Sequence, residues 1–221
     1  MNDPLKREVK PEILDSLPED HPEALHNRRD LRLINVLMGN FRWFRRTLPG
    51  LLRPGDTGLE LGAGDGSLGN RLLRSGTLPP GTNIDGLDLW RRPPDWPDSW
   101  GWHREDIQAF SGYDRYSFVL ANFILHQFTD DELAEIGARL RRNARFILTC
   151  ETARRAVHLR HLWLLKPLGI NRVSWHDARI SIRAGFIGHE LPGLLGLSRD
   201  SWQIRCHTTQ LGAHRMIAVR K

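Results

Sequence analysis

The segment from Leu59 to Gly69, LELGAGDGSLG, gathers the residue types needed to hold a small charged ligand. Gly62, Gly64 and Gly66 recur at alternate positions, where a backbone turning sharply from strand to helix must leave room for a ligand lying against it. A helix beginning near Ser67 would point its unpaired amides at a negative group of that ligand, and Glu60 offers a carboxylate to a positive one. Ala63 and Asp65 lie in the same turn. The letters also spell GxGxxG through Gly64, Gly66 and Gly69, the fingerprint of dinucleotide sites. The loop alone fits both kinds of ligand.

Two later segments separate them. Asp88, in IDGLDL, ends an apolar run where a carboxylate accepts both hydroxyls of a ribose, which suits NAD and S-adenosylmethionine (SAM) alike; Leu89 follows it. Asp106, in HREDIQAF, stands where an acidic side chain accepts a bond from an adenine amino group, with Ile107 beside the ring, and this favours SAM. A dehydrogenase would also need a place for nicotinamide and substrate beyond the sheet, whereas here the chain runs into a hairpin.

These residues must be carried by alternating strands and helices. Apolar runs at 57–61, 82–89, 100–103, 116–121 and 145–150 read as strands, and helical patterns follow several of them. The helix at 130–140 carries the start signal Thr129-Asp130-Asp131-Glu132. Two further strand-like runs, 202–207 and 216–219, suggest a closing antiparallel hairpin. The predicted fold is α/β: a doubly wound, mostly parallel seven-stranded sheet with an antiparallel C-terminal hairpin, plus an N-terminal helical lid. Residues 1–54 form the tail and lid, with the first two dozen residues a loose lead-in. Leu31, Ile34, Leu37, Met38, Phe41, Phe44 and Leu48 recur at spacings of three and four, an amphipathic helical region interrupted near Gly39. Residues 55–221 form the SAM-binding domain, with a helical insertion at 152–187.

Composition excludes several classes. The 221 residues suffice for one substantial core, and 40% apolar content with eight Trp and eight Phe describes a packed globule. No apolar run is long enough to cross a bilayer and the N-terminal stretch lacks a signal-peptide core, so a cytoplasmic location is expected. Cys150 and Cys206 read as reduced structural thiols. The formal charge of +6 is compatible with a polyanion, but the basic residues are spread along the chain and nucleic-acid binding is not expected. His158 and His161 share a helix face without a carboxylate or Cys to complete a metal set, and no metal is expected.

In the order LELGAGDGSLG, IDGLDL, HREDIQAF, the sequence resembles the class I, seven-stranded SAM-dependent methyltransferases over residues 56–221. VLANFILHQF is similar to the "ANLFLHH" fourth strand of methyltransferases from quinone, phenol and polyketide pathways. The resemblance implies that Glu60, Gly62, Gly64, Asp88 and Asp106 bind SAM, with Asn122 at the reactive edge. Gln127 stands where a second His is common, so no role of that His carries over. The Asn/Asp-Pro-Pro-aromatic signature of methyltransferases acting on nucleic-acid amines is replaced by Ala121-Asn122-Phe123-Ile124.

Methyl transfer is an in-line displacement, for which a protein aligns the acceptor and, for a phenol, removes its proton. His126, with an ordinary pKa of about 6.5, is the candidate base. Phe41, Phe44, Trp43, Trp163 and Leu164 are candidates for an apolar acceptor wall. His176 and Arg183, in WHDARISIRAGF, are candidates to face the acceptor, with Asp177 a helix cap. The expected activity is methylation of an oxygen, less readily a carbon, of a small aromatic metabolite. RNA methylation, NAD-dependent oxidoreduction and non-catalytic nucleotide binding are the alternatives.

Overall fold

The structure is a computed structural model that describes residues 5–221, the side chains of residues 164–166 excepted. Leu164, expected along an acceptor wall, lies outside the described side chains. Seven strands form one sheet: β1 (Thr57–Leu61), β2 (Asn83–Asp88), β3 (Trp102–Arg104), β4 (Phe118–Asn122), β5 (Phe146–Thr152), β6 (Trp202–Thr208) and β7 (Ala213–Arg220). Their order is β3-β2-β1-β4-β5-β7-β6. β7 runs antiparallel to both β5 and β6, and the other pairings are parallel. The C-terminal hairpin thus inserts its second strand beside β5.

Alternate residues of each strand serve opposite faces. Val119 and Ala121 of β4 and Ile147 of β5 join the core beneath Leu133, Ile136, Leu140 and Leu191; these side chains come from α5 (Asp130–Asn143) and α8 (Glu190–Leu194). Phe118, Leu120, Phe146 and Leu148 join the opposite core with Phe41, Phe44, Leu68 and Leu72, from α3 (Asn40–Thr47) and α4 (Ser67–Arg74). Phe118 and Phe146 stack with ring centroids 4.9 Å apart. Both faces are covered, which is why the central strands are mostly apolar, with polar residues such as Glu60, Asn122 and Glu151 at or near their carboxyl ends. The start of α5 is closed by a capping box, Thr129 and Glu132 bonding each other's backbone.

The lid is α2 (Pro22–Leu37) followed by α3, broken at Gly39 as the pattern predicts. The insertion supplies α6 (Ala156–His161), a 3₁₀ turn and α7 (Arg172–Ala184). Buried Asp30 of α2 accepts from the Asn171 amide (2.9 Å) and the Ser174 hydroxyl (2.7 Å) at the start of α7, tying lid to insertion.

Residues 5–24 are not a loose lead-in. Arg7 donates to the carbonyls of Phe128 (2.7 Å) and Ala184 (2.9 Å) and pairs with Asp130 at 2.5 Å. The short α1 (Ile13–Ser16) is capped by Asp177 of α7, whose two oxygens accept from the Ile13 and Leu14 amides at 2.9 and 3.0 Å. Asp177 does not cap its own helix, which starts earlier with Asn171 as N-cap; it serves instead the first amides of a helix over 160 residues away in sequence. A segment without a period of its own is ordered by contacts no local pattern reveals. No helix among the described residues is long and apolar enough to cross a membrane.

Candidate active site

The chain order reverses between β1 and β4, and the crevice at the carboxyl ends of the strands beside that point is where open α/β sheets bind ligands. A cavity of about 790 Å³ occupies it. All ten residues expected to hold the cofactor line it: Glu60, Gly62, Ala63, Gly64, Asp65, Asp88, Leu89, Asp106, Ile107 and Asn122.

The loop has the required geometry. Gly62, Gly64 and Gly66 take positive φ values of 61°, 56° and 71°, a region costly for other residues. A Cβ at Gly62 would also stand 2.5 Å from Ile124. Asp88 sets the loop from β2, its oxygens accepting from the Gly64 amide at 2.7 Å and the Trp90 amide at 2.9 Å. Each oxygen keeps a lone pair for a further donor such as a ribose hydroxyl. Burial raises the Asp88 pKa against the pull of these amides. Asp106 turns the chain by accepting the Gln108 amide at 2.6 Å. Phe123, next to Asn122, is the described non-glycine residue at positive φ, 59°, a strained position of the kind that gathers at functional sites.

The polar atoms fit a zwitterionic amino-acid end. Glu60 Oε2, Asn122 Oδ1, Asn27 Oδ1 and Arg28 Nη2 are buried, line this cavity, and have no hydrogen-bond partner among the described residues. Burial, with Asp65 adding repulsion, pushes the Glu60 carboxyl well above its ordinary value, which a cationic neighbour would reverse. Burial lowers the Arg28 pKa, which an anion would offset. Carboxylate and amide oxygens for an ammonium group, and a guanidinium for a carboxylate, are the donor set that the methionyl end of SAM requires. Arg28 and Arg32 were missed by sequence reasoning. Their spacing of four on α2 puts both above the loop, where Arg28 lies over Trp90 and Arg32 pairs with Asp65, and that spacing was the legible signal.

The cavity continues into a chamber walled by the lid, the insertion and the N-terminal segment, including Leu14, Leu31, Met38, Phe41, Ser181 and Ile182. Of the expected acceptor residues, Phe41 and His126 line it. Phe44, His176 and Arg183 do not. Phe44 is fully buried in the core beneath the sheet and meets Trp43 edge-on. His176 is half-exposed beside Asp177 at 3.0 Å, and Arg183 is half-exposed toward Glu8 at 3.7 Å. These two side chains leave α7 on its outer side, because Asp177, Ala178, Ser181 and Ile182 occupy the face turned inward. Trp163 is exposed and packs edge-on against Trp175.

His126 is buried, but not as a neutral base. Its Nδ1 lies 2.7 Å from Glu151 Oε2 and its Nε2 3.3 Å from Glu12 Oε1. Burial alone would lower the imidazole pKa, yet bonds to Glu12 and Glu151 and their charges outweigh it and push it up to about 10. Two carboxylates, one at each ring nitrogen, favour the protonated ring. Glu151 also accepts the Leu125 and Ile124 amides at 3.0 and 3.2 Å, so it shapes the turn after β4. Glu12 receives the Ser181 hydroxyl and, at 3.2 Å, Gln127 Nε2; burial opposes ionisation, but the His126 bond and charge hold its pKa below the ordinary value. Neighbouring Asp15 is raised to about 6 by burial and by Glu12. The sequence pointed to neither Glu12 nor Glu151, although an acid inside the apolar run of β5 was a signal for the latter.

Strand order, the antiparallel β7 and the glycine loop at the end of β1 define the fold of the class I methyltransferases. No protein-family model and no curated protein sequence matches the chain. Among solved structures it is similar to the plantazolicin methyltransferase BpumL in complex with SAH, with a TM-score of 0.69 and 12% identity over 94% of this chain and 92% of that one. It is also similar to the methyltransferase domain of bacterial CtHen1-C, with a TM-score of 0.60 and 11% identity over 84% and 99%. The pyocyanin biosynthetic protein PhzM gives a TM-score of 0.58 and 18% identity over 95% of this chain, which spans 62% of PhzM.

Proposed function

We propose that the protein is a SAM-dependent methyltransferase whose acceptor is a small aromatic molecule methylated on a phenolic oxygen. The observation that carries the reading is one continuous cavity with two chemically distinct ends. At one end Glu60, Asn122 and Arg28 offer unpaired polar atoms suited to an amino-acid zwitterion, with Asp88 placed for a ribose and Asp106 and Ile107 for adenine. At the other end an apolar chamber under the lid holds buried carboxylates. SAM, when bound, supplies a methyl group already activated on a sulfonium. The residues of the chain then need only align the acceptor, exclude water and take a proton. The SAH complex of BpumL supports the cofactor assignment by likeness of fold.

A second reading, methylation of structured RNA, is favoured by one feature. Eight arginines, Arg28, Arg32, Arg42, Arg45, Arg71, Arg74, Arg91 and Arg92, line a groove bordering the cofactor cavity, although they are scattered in sequence. Several are already engaged: Arg32 by Asp65, Arg91 by Glu19 and Arg92 by Asp98. The chamber roofed by α1 favours the small acceptor.

Calorimetry with SAM, SAH and NAD, followed by labelled SAM with a phenol and quinol panel and a structured RNA, tests both. SAM binding with methyl transfer to a phenol is expected. Tight NAD binding without SAM binding overturns the cofactor reading, and transfer to RNA alone replaces the first reading by the second.

A further inference from the structure

We propose that Glu12 is the catalytic base of this site, taking the proton of a phenolic hydroxyl, with His126 and Glu151 as positioning residues. The inference rests on the methyl-transfer reading above.

An imidazole placed against a carboxyl group at each nitrogen, as His126 is against Glu151 and Glu12, donates from both nitrogens when both partners are ionised, since an ionised carboxylate only accepts. Such a ring has no lone pair with which to receive a proton. Glu151 is fully buried behind it and spends its oxygens on His126 and two backbone amides. Glu12 differs. Its Oε1 takes bonds from His126 and Ser181, while its Oε2 takes one from Gln127, which leaves Oε2 with acceptor capacity. The Glu12 side chain lines the same cavity as Asn122 and Gly62.

The other ionisable groups facing Glu12 are Asp15 on α1 and Asp177 on α7. Asp177 is committed to the α1 amides, and Asp15 sits one helical turn further along the segment. The fixed imidazolium keeps Glu12 ionised despite burial and orients it. A carboxylate is a weak base for a resting phenol. It suffices here because the hydroxyl proton becomes strongly acidic as its oxygen bonds to carbon. In the step, the phenol oxygen forms the new bond to the methyl carbon and the carbon–sulfur pair returns to sulfur. The O–H bond breaks with its pair left on oxygen, and the proton passes to Glu12 Oε2 and then to solvent. Charge balances, since the sulfonium is neutralised as the carboxylate is protonated.

The test compares wild type, Glu12→Gln and Glu12→Asp on a series of phenols, with labelled SAM. The series runs from phenols of ordinary acidity, with a pKa of about 10, to nitrophenols already ionised at the assay pH. Glu12→Gln should bind SAM normally by calorimetry and lose roughly 10²- to 10⁴-fold in turnover on ordinary phenols. It should lose less than about tenfold on the ionised ones, since these need no base, and Glu12→Asp should fall between. Equal losses across the series, or none, overturn the proposal. Nitrogen NMR of His126 in the wild type gives a check that needs no variant: both ring nitrogens should be protonated at neutral pH, and a neutral ring overturns it. A wild type that binds SAM yet methylates no phenol of the series also overturns the role of Glu12 while leaving the cofactor reading intact. Absence of SAM binding overturns both.

Discussion

Glu151 Oε2 stands 2.7 Å from His126 Nδ1, and Glu151 Oε1 accepts the amides of Leu125 and Ile124. One carboxylate at the end of β5 therefore holds both the ring and the backbone turn that presents it. Replacing it by Gln keeps the shape but removes the charge and turns an amide NH₂ toward groups that are themselves donors. Glu151→Gln should cost on the order of 3 kcal/mol in denaturant titration, as expected when one member of a buried ion pair is lost. A change under about 0.5 kcal/mol, within the range of an unremarkable surface substitution, would show that the pair does not hold the turn.

The protonation of His126 links stability to pH. Its folded pKa lies near 10, above the ordinary 6.5. The stabilisation is therefore complete below about pH 6.5, declines as pH rises, and is lost through the folded value near 10. Thermal melts of wild type and His126→Gln should differ most at the acid end of this window and converge at its alkaline end. A gap that stays constant from pH 6 to pH 10 contradicts the imidazolium assignment.

Arg28 should behave as a ligand group rather than a structural one. Its Nη2 is buried and unpaired among the described residues, so Arg28→Ala relieves a desolvated charge in the free protein. The expected outcome is an unchanged or raised melting temperature without ligand, with SAM affinity reduced about tenfold for the loss of one charge-assisted bond. Calorimetry and melting on the same preparation check it, and a variant that is destabilised but binds SAM normally refutes it.

Phe41 and Phe44 share one core, but of the two Phe41 alone also borders the cavity. Phe44 is wholly enclosed, so Phe44→Ala should lose roughly 3–5 kcal/mol of stability and leave the acceptor KM of the folded fraction unchanged. Phe41 belongs to the same core but also lines the cavity, with Arg71 over its ring, so Phe41→Ala should lose stability as well and, unlike Phe44→Ala, raise the acceptor KM of the folded fraction. Steady-state kinetics beside denaturant titration distinguishes the two.

The residues proposed for the cofactor end were legible as one group because their determinants are local. Gly62, Gly64 and Gly66 are dictated by backbone angles, Asp88 and Asp106 by their places at and after strand ends, and all of these but Gly66, which packs against Trp96, line one crevice once the strands align. The acceptor end was not. Phe44 and Phe41 share a helical stripe in sequence and both join the core under the sheet, yet the stripe is wider than the cavity, so of the two Phe41 alone also borders the chamber. His176 and Arg183 have suitable chemistry on the wrong side of α7.

The sequence by itself determined the alternation of strands and helices, the inserted C-terminal hairpin and the ligand loop, since these follow from periodicity and from single-residue conformational limits. Only the tertiary structure decided the protonation of His126. That depends on Glu12 and Glu151, which lie 114 and 25 residues away in the chain and reach the ring when the N-terminal segment docks on α7. A pKa is set by what surrounds a group in space, and two carboxylates, outweighing the effect of burial, raise that of a residue expected to be a neutral base.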